Sequence, residues 1–273
     1  MSTESRERLV RLVRRNDADL AEAALLCCVE MDPGLDVDAT LLRIDALADM
    51  LRTRGVPSGS AETDARQLSA FLAGELRFTG DQASYHDPDN ALLHRVLDTR
   101  RGLPITLTIV YVAIARRLGL PAYAVNLPGH VVAAIAGGDR PVVIDPFHDG
   151  IVLDEQAVAM RIAAATGGQV GFRRSMLRPA PAVDVVRRLL NNLTRDLSAA
   201  THPGRALWTV ELKLLLPNRA ADDHRVLGEL LAATGRFDAA ADAYERYLEL
   251  VGDAAPDREG VRRAAIRARA RLN

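Results

Sequence analysis

The chain has 273 residues, 35 Lys and Arg against 36 Asp and Glu, and a formal net charge of −1. This length suits one large domain or two small ones, and the 48% of hydrophobic residues can form a buried core. The balanced charge argues against a protein that binds nucleic acid by overall electrostatics. The charged N-terminus is unlike a signal peptide, and no apolar run approaches the roughly 18 residues of a membrane span. We therefore expect a soluble, cytoplasmic protein with neither nucleic acid nor membrane as a partner.

The two cysteines, Cys27 and Cys28, are adjacent and lie in an apolar helical pattern. Neighbours in a helix do not readily form a disulfide, and no CxxC spacing supports a zinc site. His86, His94 and His148 have no metal-ligand spacing, and no glycine-rich phosphate loop precedes a helix. We therefore expect neither a metal nor a cofactor, and we interpret the cysteines as core residues.

Four short helices are predicted between Asp17 and about Leu97. The second of them, VDATLLRIDALADMLRTRG, has leucines near helical spacing, Asp38 as its expected N-cap and Gly55 as its stop. Little in this part of the chain is typical of strands. The pattern indicates a helical subdomain.

The middle of the chain changes character. PITLTIVYVAIARRLG is rich in residues that favour strands, but its length and its Arg-Arg-Leu-Gly-Leu-Pro ending favour a buried helix. Three short apolar runs follow, AYAVN, HVVAAIA and PVVID, and each predicts a strand. The last two would form a hairpin across GGDR.

The C-terminal part is predicted to be helical from about Val183, with a repeat inside it. Residues 221–250 place seven residues in the order of a tetratricopeptide repeat: Leu227, Gly228, Leu231, Gly235, Phe237, Ala240 and Tyr244. One period of about 34 residues earlier, a degenerate copy has Ala206, Leu197 and Leu193 at matching positions. A capping helix with a basic face would follow from Asp257. A plain helical hairpin is the alternative.

The predicted hairpin brings a histidine and an aspartate together. If Gly137 opposes Arg140 in the turn, the numbers of any two facing residues add up to 277. His130 then faces Phe147, and Asp145 lies diagonally across from His130 on the same face of the sheet. An Asp that accepts a hydrogen bond from one imidazole nitrogen fixes the tautomer and leaves the other nitrogen for a substrate or nucleophile. A single bulge at the turn would separate the two side chains. A purely structural role for the pair is the alternative.

Three motifs carry a resemblance to the transglutaminase-like superfamily. They are RGLPITL at residues 101–107, NLPGH at 126–130 and DPF at 145–147. With the C-terminal repeats, the chain resembles in particular the SirB-type branch, in which a transglutaminase-like region precedes tetratricopeptide repeats. The resemblance covers most of the chain and supports PITLTIVYVAIARRLG as the central helix.

The resemblance implies a papain-like site: a cysteine at the start of a buried helix, His130 as its base and Asp145 as the residue that orients His130. The nucleophile position falls near Ile105 or Thr106, and neither is cysteine.

Thr106 is the nearby hydroxyl that could take the place of the thiol, with Thr108 as an alternative. A threonine hydroxyl needs a well-placed base and oxyanion hole, and capping of the helix N-terminus is the favoured interpretation of Thr106. SirB-type relatives commonly carry Ser or Thr at this point. Arg101, Asn126 and Phe147 are candidates for lining the cleft.

Together these patterns predict an α+β, predominantly helical fold. Residues 1–95 would form a helical N-terminal subdomain, 96–180 a transglutaminase- or papain-like core with a small antiparallel sheet, and 181–273 tetratricopeptide-type hairpins with a capping helix. The favoured hypothesis is a non-catalytic, regulatory protein that binds a protein or peptide partner through its repeats. The alternative is a hydrolase or acyl-transferase acting on an amide or ester through Thr106 or a water activated by His130. In a third hypothesis, His130 and Asp145 only stabilise the hairpin.

Overall fold

The structure of the protein is a computed structural model that describes residues 3–199, 203–217, 219–253 and 255–271. The chain forms two compact units, residues 1–189 and 190–273. The fold is predominantly helical with a small antiparallel sheet, which confirms the α+β prediction. The three-part division of the sequence stays a prediction.

Seven α-helices lie wholly within the described residues of the first unit. They are α1 (Thr3–Leu12), α2 (Leu20–Cys28), α3 (Val37–Arg52), α4 (Ala61–Ser69), α5 (Leu93–Thr99), α6 (Pro104–Arg117) and α7 (Glu155–Thr166). A π-helical turn, Ala70–Glu75, continues α4, and α8 (Ala182–Ala199) crosses the boundary between the two units. The four predicted N-terminal helices correspond to α2–α5, whereas α1 and α7 were not anticipated.

The N-terminus of α3 differs from the sequence-based expectation. Asp36, not Asp38, is the N-cap, because its carboxylate accepts a hydrogen bond from the Ala39 N–H. Asp38 lies in the first turn, where its negative charge still faces the positive end of the helix dipole. Two acidic residues at this terminus satisfy the same sequence pattern, and only the backbone conformation distinguishes them.

The central segment forms helix α6, as predicted against its local propensity. Every residue from Pro104 to Ala115 is buried. Each β-branched residue lowers helix stability by up to about 0.7 kcal/mol relative to Ala, but burying such a side chain contributes about 1.5–3 kcal/mol. Burial therefore decides the conformation of α6. Pro104 occupies the first turn, and Gly119 takes a left-handed conformation with φ 83° just after the last turn.

Strands form a short parallel pair and one antiparallel sheet. The pair is β1 (Thr79–Gly80) with β2 (Arg101–Gly102). The sheet has four strands in chain order: β3 (Ala122–Leu127), β4 (His130–Ile135), β5 (Val142–Asp145) and β6 (Ile151–Leu153). The three predicted strands are β3–β5, and β6 is an addition. In the β4–β5 hairpin, Ala133 faces Ile144 and Ile135 faces Val142, so the predicted register is confirmed.

The second unit is helical throughout its described elements of regular structure. After the end of α8, it contains α9 (Leu207–Leu215), α10 (Ala221–Ala233), α11 (Phe237–Leu250) and α12 (Arg258–Ala270). The α10 and α11 backbones approach closely where Gly228 lies against the ring of Tyr244, and a Cβ at Gly228 would lie 2.6 Å from that ring. Helix α12 matches the predicted C-terminal helix. None of the described helices in either unit is long and apolar enough to cross a membrane.

Candidate functional site

The centre of the site is a buried pair, His130 and Asp145. His130 begins β4, Asp145 ends β5, and the hairpin register places them diagonally, as expected. The Nε2 atom of His130 lies 3.0 Å from Oδ1 of Asp145. The Asp145 side chain is fully buried and that of His130 is 10% exposed. The tight β3–β4 turn includes Gly129 at φ 72°, where a Cβ would lie 2.4 Å from that of Ala165.

A second histidine reaches the same carboxylate. Residues Pro146–His148 form one turn of 3-10 helix directly after β5, with Pro146 in its first turn. Residues three apart lie above one another in a 3-10 helix, so His148 lies over Asp145, and its Nδ1 atom is 2.8 Å from Oδ2 of Asp145. The spacing of His148 from the other histidines shows no metal-ligand pattern, so the sequence does not predict this contact. The signal that could have identified it is the separation of three residues in DPFH, with a proline at the start of the turn.

Arg161 is the third side chain around Asp145, after His130 and His148. Helix α7, capped by Asp154, places the Arg161 Nε atom 2.8 Å from Oδ2 of Asp145. This contact is electrostatic, since Arg161 Nε is not aligned for a hydrogen bond. Nothing in the linear spacing of Asp145 and Arg161 indicated this pairing, because it depends on how α7 packs on the sheet.

The charge of Asp145 follows from these neighbours. Burial by itself would raise the pKa of Asp145, but the hydrogen bond from His130 and the charges of His130, His148 and Arg161 hold it below its ordinary value of 3.8. Asp145 is therefore an ionised acceptor, so the imidazole N–H groups donate to it. In neutral His130, this leaves the lone pair on Nδ1, for which no described residue provides a hydrogen-bond partner.

Aromatic rings form one wall of this site. The Phe147 ring lies edge-on to His130, with centroids 6.4 Å apart, and also contacts Tyr85 and His148. Gly80 of β1 permits this arrangement, because a Cβ there would lie 2.5 Å from Phe147. The expectation that Phe147 lies beside the His–Asp pair agrees with this geometry.

The Thr106 hydroxyl lies in a buried, main-chain environment. Its side chain is fully buried, and its hydroxyl donates to the main-chain carbonyls of Asn90 at 2.7 Å and Leu103 at 3.1 Å. It does not cap the helix, since α6 has no side-chain cap hydrogen bond, so the capping expectation is wrong. No hydrogen bond joins Thr106 to His130 among the described residues. The nearby alternative, Thr108, is also buried and donates to the Val131 carbonyl at 3.3 Å.

Among the described residues, neither Arg101 nor Asn126 forms a hydrogen bond or ion pair with His130 or Asp145. Arg101 is exposed in the short strand β2, and Asn126 is half-buried in β3 with its Oδ1 atom lacking a hydrogen-bond partner.

Cys27 and Cys28 are completely buried in α2, as expected for core residues. Burial raises the pKa of Cys27 well above its ordinary value and that of Cys28 to about 12. Neither thiol is activated for nucleophilic attack.

Comparisons with known proteins agree with this architecture. The family model of the transglutaminase-like superfamily matches residues 38–191. A UPF0162 protein of Xylella fastidiosa is 28% identical over 234 residues, which cover 85% of this chain and 83% of that protein. F-box only protein 21 of Mus musculus is 29% identical over 124 residues, covering 41% of this chain and 20% of that protein. A match to a crystal structure of menin covers 95% of this chain and 73% of the menin chain at 14% sequence identity. Its TM-score is 0.43, which is too low to support a conclusion about this protein.

The family match extends over more than half of the chain and includes α6, the His130–Asp145 hairpin and the turn that carries His148. These are the elements from which the candidate site is built. The chain belongs to the transglutaminase-like superfamily.

Proposed function

We propose that this protein is a SirB-type member of the superfamily that works by binding another protein and not by thiol catalysis. The observation that carries the proposal is the state of the nucleophile position. Thr106 stands at the start of α6, and its hydroxyl is held by main-chain carbonyls in a fully buried environment. A hydroxyl in that state has no base to deprotonate it and no access to substrate.

The helices of the second unit support a binding role. Gly228 and Tyr244 pack against each other between α10 and α11, and both occupy positions that a tetratricopeptide repeat uses. Such hairpins serve as surfaces for protein or peptide partners. In this unit a cavity of about 170 Å³ has apolar walls that include Phe237 and Ala264, with the arginines Arg267 and Arg271 also lining it. We expect it to accept an apolar side chain from a partner segment that also carries acidic residues.

Covalent labelling tests the absence of nucleophilic catalysis. The wild-type protein is treated with a fluorophosphonate and assayed on a panel of esters and amides. We expect neither labelling nor turnover. Labelling that is lost in Thr106→Val or His130→Ala but kept in Thr108→Val would overturn the proposal, because Thr108 is the matched buried threonine of the same helix.

Site-specific photocrosslinking tests the binding role. A benzoylphenylalanine is introduced at Arg267, which lines the cavity, and in a matched control at Arg262, which is exposed on the same helix but does not line it. We expect a defined protein adduct only from position 267, reduced by Arg271→Glu. The same adducts from both positions, or none from position 267, would count against a binding role for this surface.

A second candidate function is hydrolysis by an activated water. The favouring observation is that Asp145 holds Nε2 of His130, which leaves the Nδ1 lone pair available as a general base. In that case the ester and amide panel shows turnover that His130→Ala abolishes and Thr106→Val leaves unchanged. Turnover that survives His130→Ala would exclude this role.

A further inference from the structure

Two imidazoles and one carboxylate converge at the end of the hairpin. The ligand atoms of His130, Asp145 and His148 all lie within 4.8 Å of one another. Among the described residues, no other set of three His, Cys, Asp or Glu side chains meets this condition. The transglutaminase-like role needs only His130 and Asp145, so it leaves the convergence of His148 unexplained.

The observed distances suit ligands of a shared metal ion. Protein nitrogen and oxygen ligands lie about 2.0–2.2 Å from zinc, so two ligand atoms are roughly 3.3–3.6 Å apart at the tetrahedral angle. His130 Nε2 lies 3.0 Å from one Asp145 oxygen, and His148 Nδ1 lies 2.8 Å from the other. Shifts of the imidazole rings by roughly 0.3–0.8 Å would therefore widen these separations to those of ligands around one ion.

We propose that His130, Asp145 and His148 form a binding site for a divalent first-row transition-metal ion such as Zn²⁺. Two neutral imidazole nitrogens and one carboxylate are a common donor set for such ions. When the ion binds, the proton that each imidazole donates to Asp145 is exchanged through water, and the ring is protonated instead on the nitrogen that faces away from the ion, Nδ1 of His130 and Nε2 of His148. The ion thus replaces the two hydrogen bonds to Asp145.

Solvent access is consistent with an exchangeable site. Asp145 is fully buried, but the His148 side chain is 34% exposed. An ion can therefore enter from the His148 side, and water can fill the coordination positions that the protein does not supply. This inference goes beyond the proposed binding function and does not depend on it.

Arg161 is the group that opposes a cation here. Its Nε atom lies 2.8 Å from Oδ2 of Asp145, so its charge competes for the carboxylate and repels an incoming ion. The Arg161 side chain is 29% exposed and its Nε atom is not hydrogen-bonded, so it can move away into solvent. We therefore expect Arg161→Gln to bind the ion more tightly than the wild type.

Metal titration of the tag-free, chelator-stripped full chain tests the site. Co²⁺ is added while its visible absorption is recorded, and Zn²⁺ is then used to displace it. We expect one ion per chain and a loss of affinity of about tenfold or more in His148→Ala and in His148→Gln, since even indirect partners of metal ligands contribute that much. The exposed position of His148 makes it suitable for substitution, and circular dichroism checks that each variant is folded.

His224→Ala is the matched control, because it removes a half-buried histidine from α10 in the other unit. It should bind as the wild type does. Wild-type protein that takes up no ion, or equal affinities in His148→Ala and His224→Ala, would overturn the proposal. The labelling and crosslinking experiments are run with chelator present, so a failure here is distinguishable from a failure of the proposed function.

Discussion

Replacement of Asp145 by Asn tests how much the buried carboxylate contributes to the first unit. The substitution keeps the size of the side chain but removes the charge that faces His130, His148 and Arg161. Breaking a buried charge pair by neutralising one partner costs about 3–5 kcal/mol. His148 and Arg161 are about one-third exposed and can be partly hydrated, so we expect about 3 kcal/mol, the lower end of that range.

Urea unfolding followed by far-UV circular dichroism, at pH 7 and with chelator present, measures this loss. With an m-value of about 3 kcal/mol/M, the expected decrease in the midpoint is about 1 M. Asp154→Asn is the matched control in the same unit, because Asp154 is exposed and Asn is an equally good N-cap for α7. A midpoint for Asp145→Asn within error of that of Asp154→Asn would refute the reasoning.

The difference in stability between the wild type and Asp145→Asn should also depend on pH. Because the folded-state pKa of Asp145 lies below its ordinary value of 3.8, its contribution to stability is present above that pH and is lost as the pH falls through the folded-state pKa. The difference in stability between the wild type and Asp145→Asn should therefore shrink as the pH falls below about pH 4. A difference that does not shrink below about pH 4 would contradict the assigned charge.

Three further predictions concern other parts of the chain. Burial raises the pKa of Cys28 to about 12, so we expect Ellman's reagent at pH 8 to react with the cysteines only after unfolding; rapid reaction of the native protein would disagree. Lys213→Met removes the ammonium 3.0 Å from the buried carboxylate of Asp223 and should cost about 3 kcal/mol in urea unfolding, with most of this recovered by adding Asp223→Leu. Gly228→Ala should cost about 1–3 kcal/mol, because the new methyl group would lie 2.6 Å from the ring of Tyr244. Gly260→Ala should instead stabilise α12 by about 0.5–1 kcal/mol, because a Cβ there has nothing within 4 Å. Equal effects of the two substitutions in thermal unfolding would contradict this.

Part of the candidate site was predictable because it depends on local rules. Strand alternation and a tight turn determine which residues of a hairpin face each other, and for this reason the sequence predicted the register that brings His130 beside Asp145. The buried cysteines were predictable for a similar reason, since an unbroken apolar pattern indicates a core helix. The same hairpin rules could not extend beyond Asp145, where the chain leaves the sheet.

The roles of Thr106 and Arg161 required the tertiary structure. The Thr106 hydroxyl binds the carbonyl of Asn90, which is 16 residues away, and this contact replaces the capping role that local rules favour. Arg161 reaches Asp145 only because α7 packs against the sheet. By itself, the sequence determined most of the helical and strand segments, the hairpin register and the lack of a cysteine near the nucleophile position, because each depends mainly on neighbouring residues. Only the tertiary structure decided that Arg161 reaches Asp145 and that Thr106 bonds Asn90, because these contacts join separate elements whose packing no local pattern encodes.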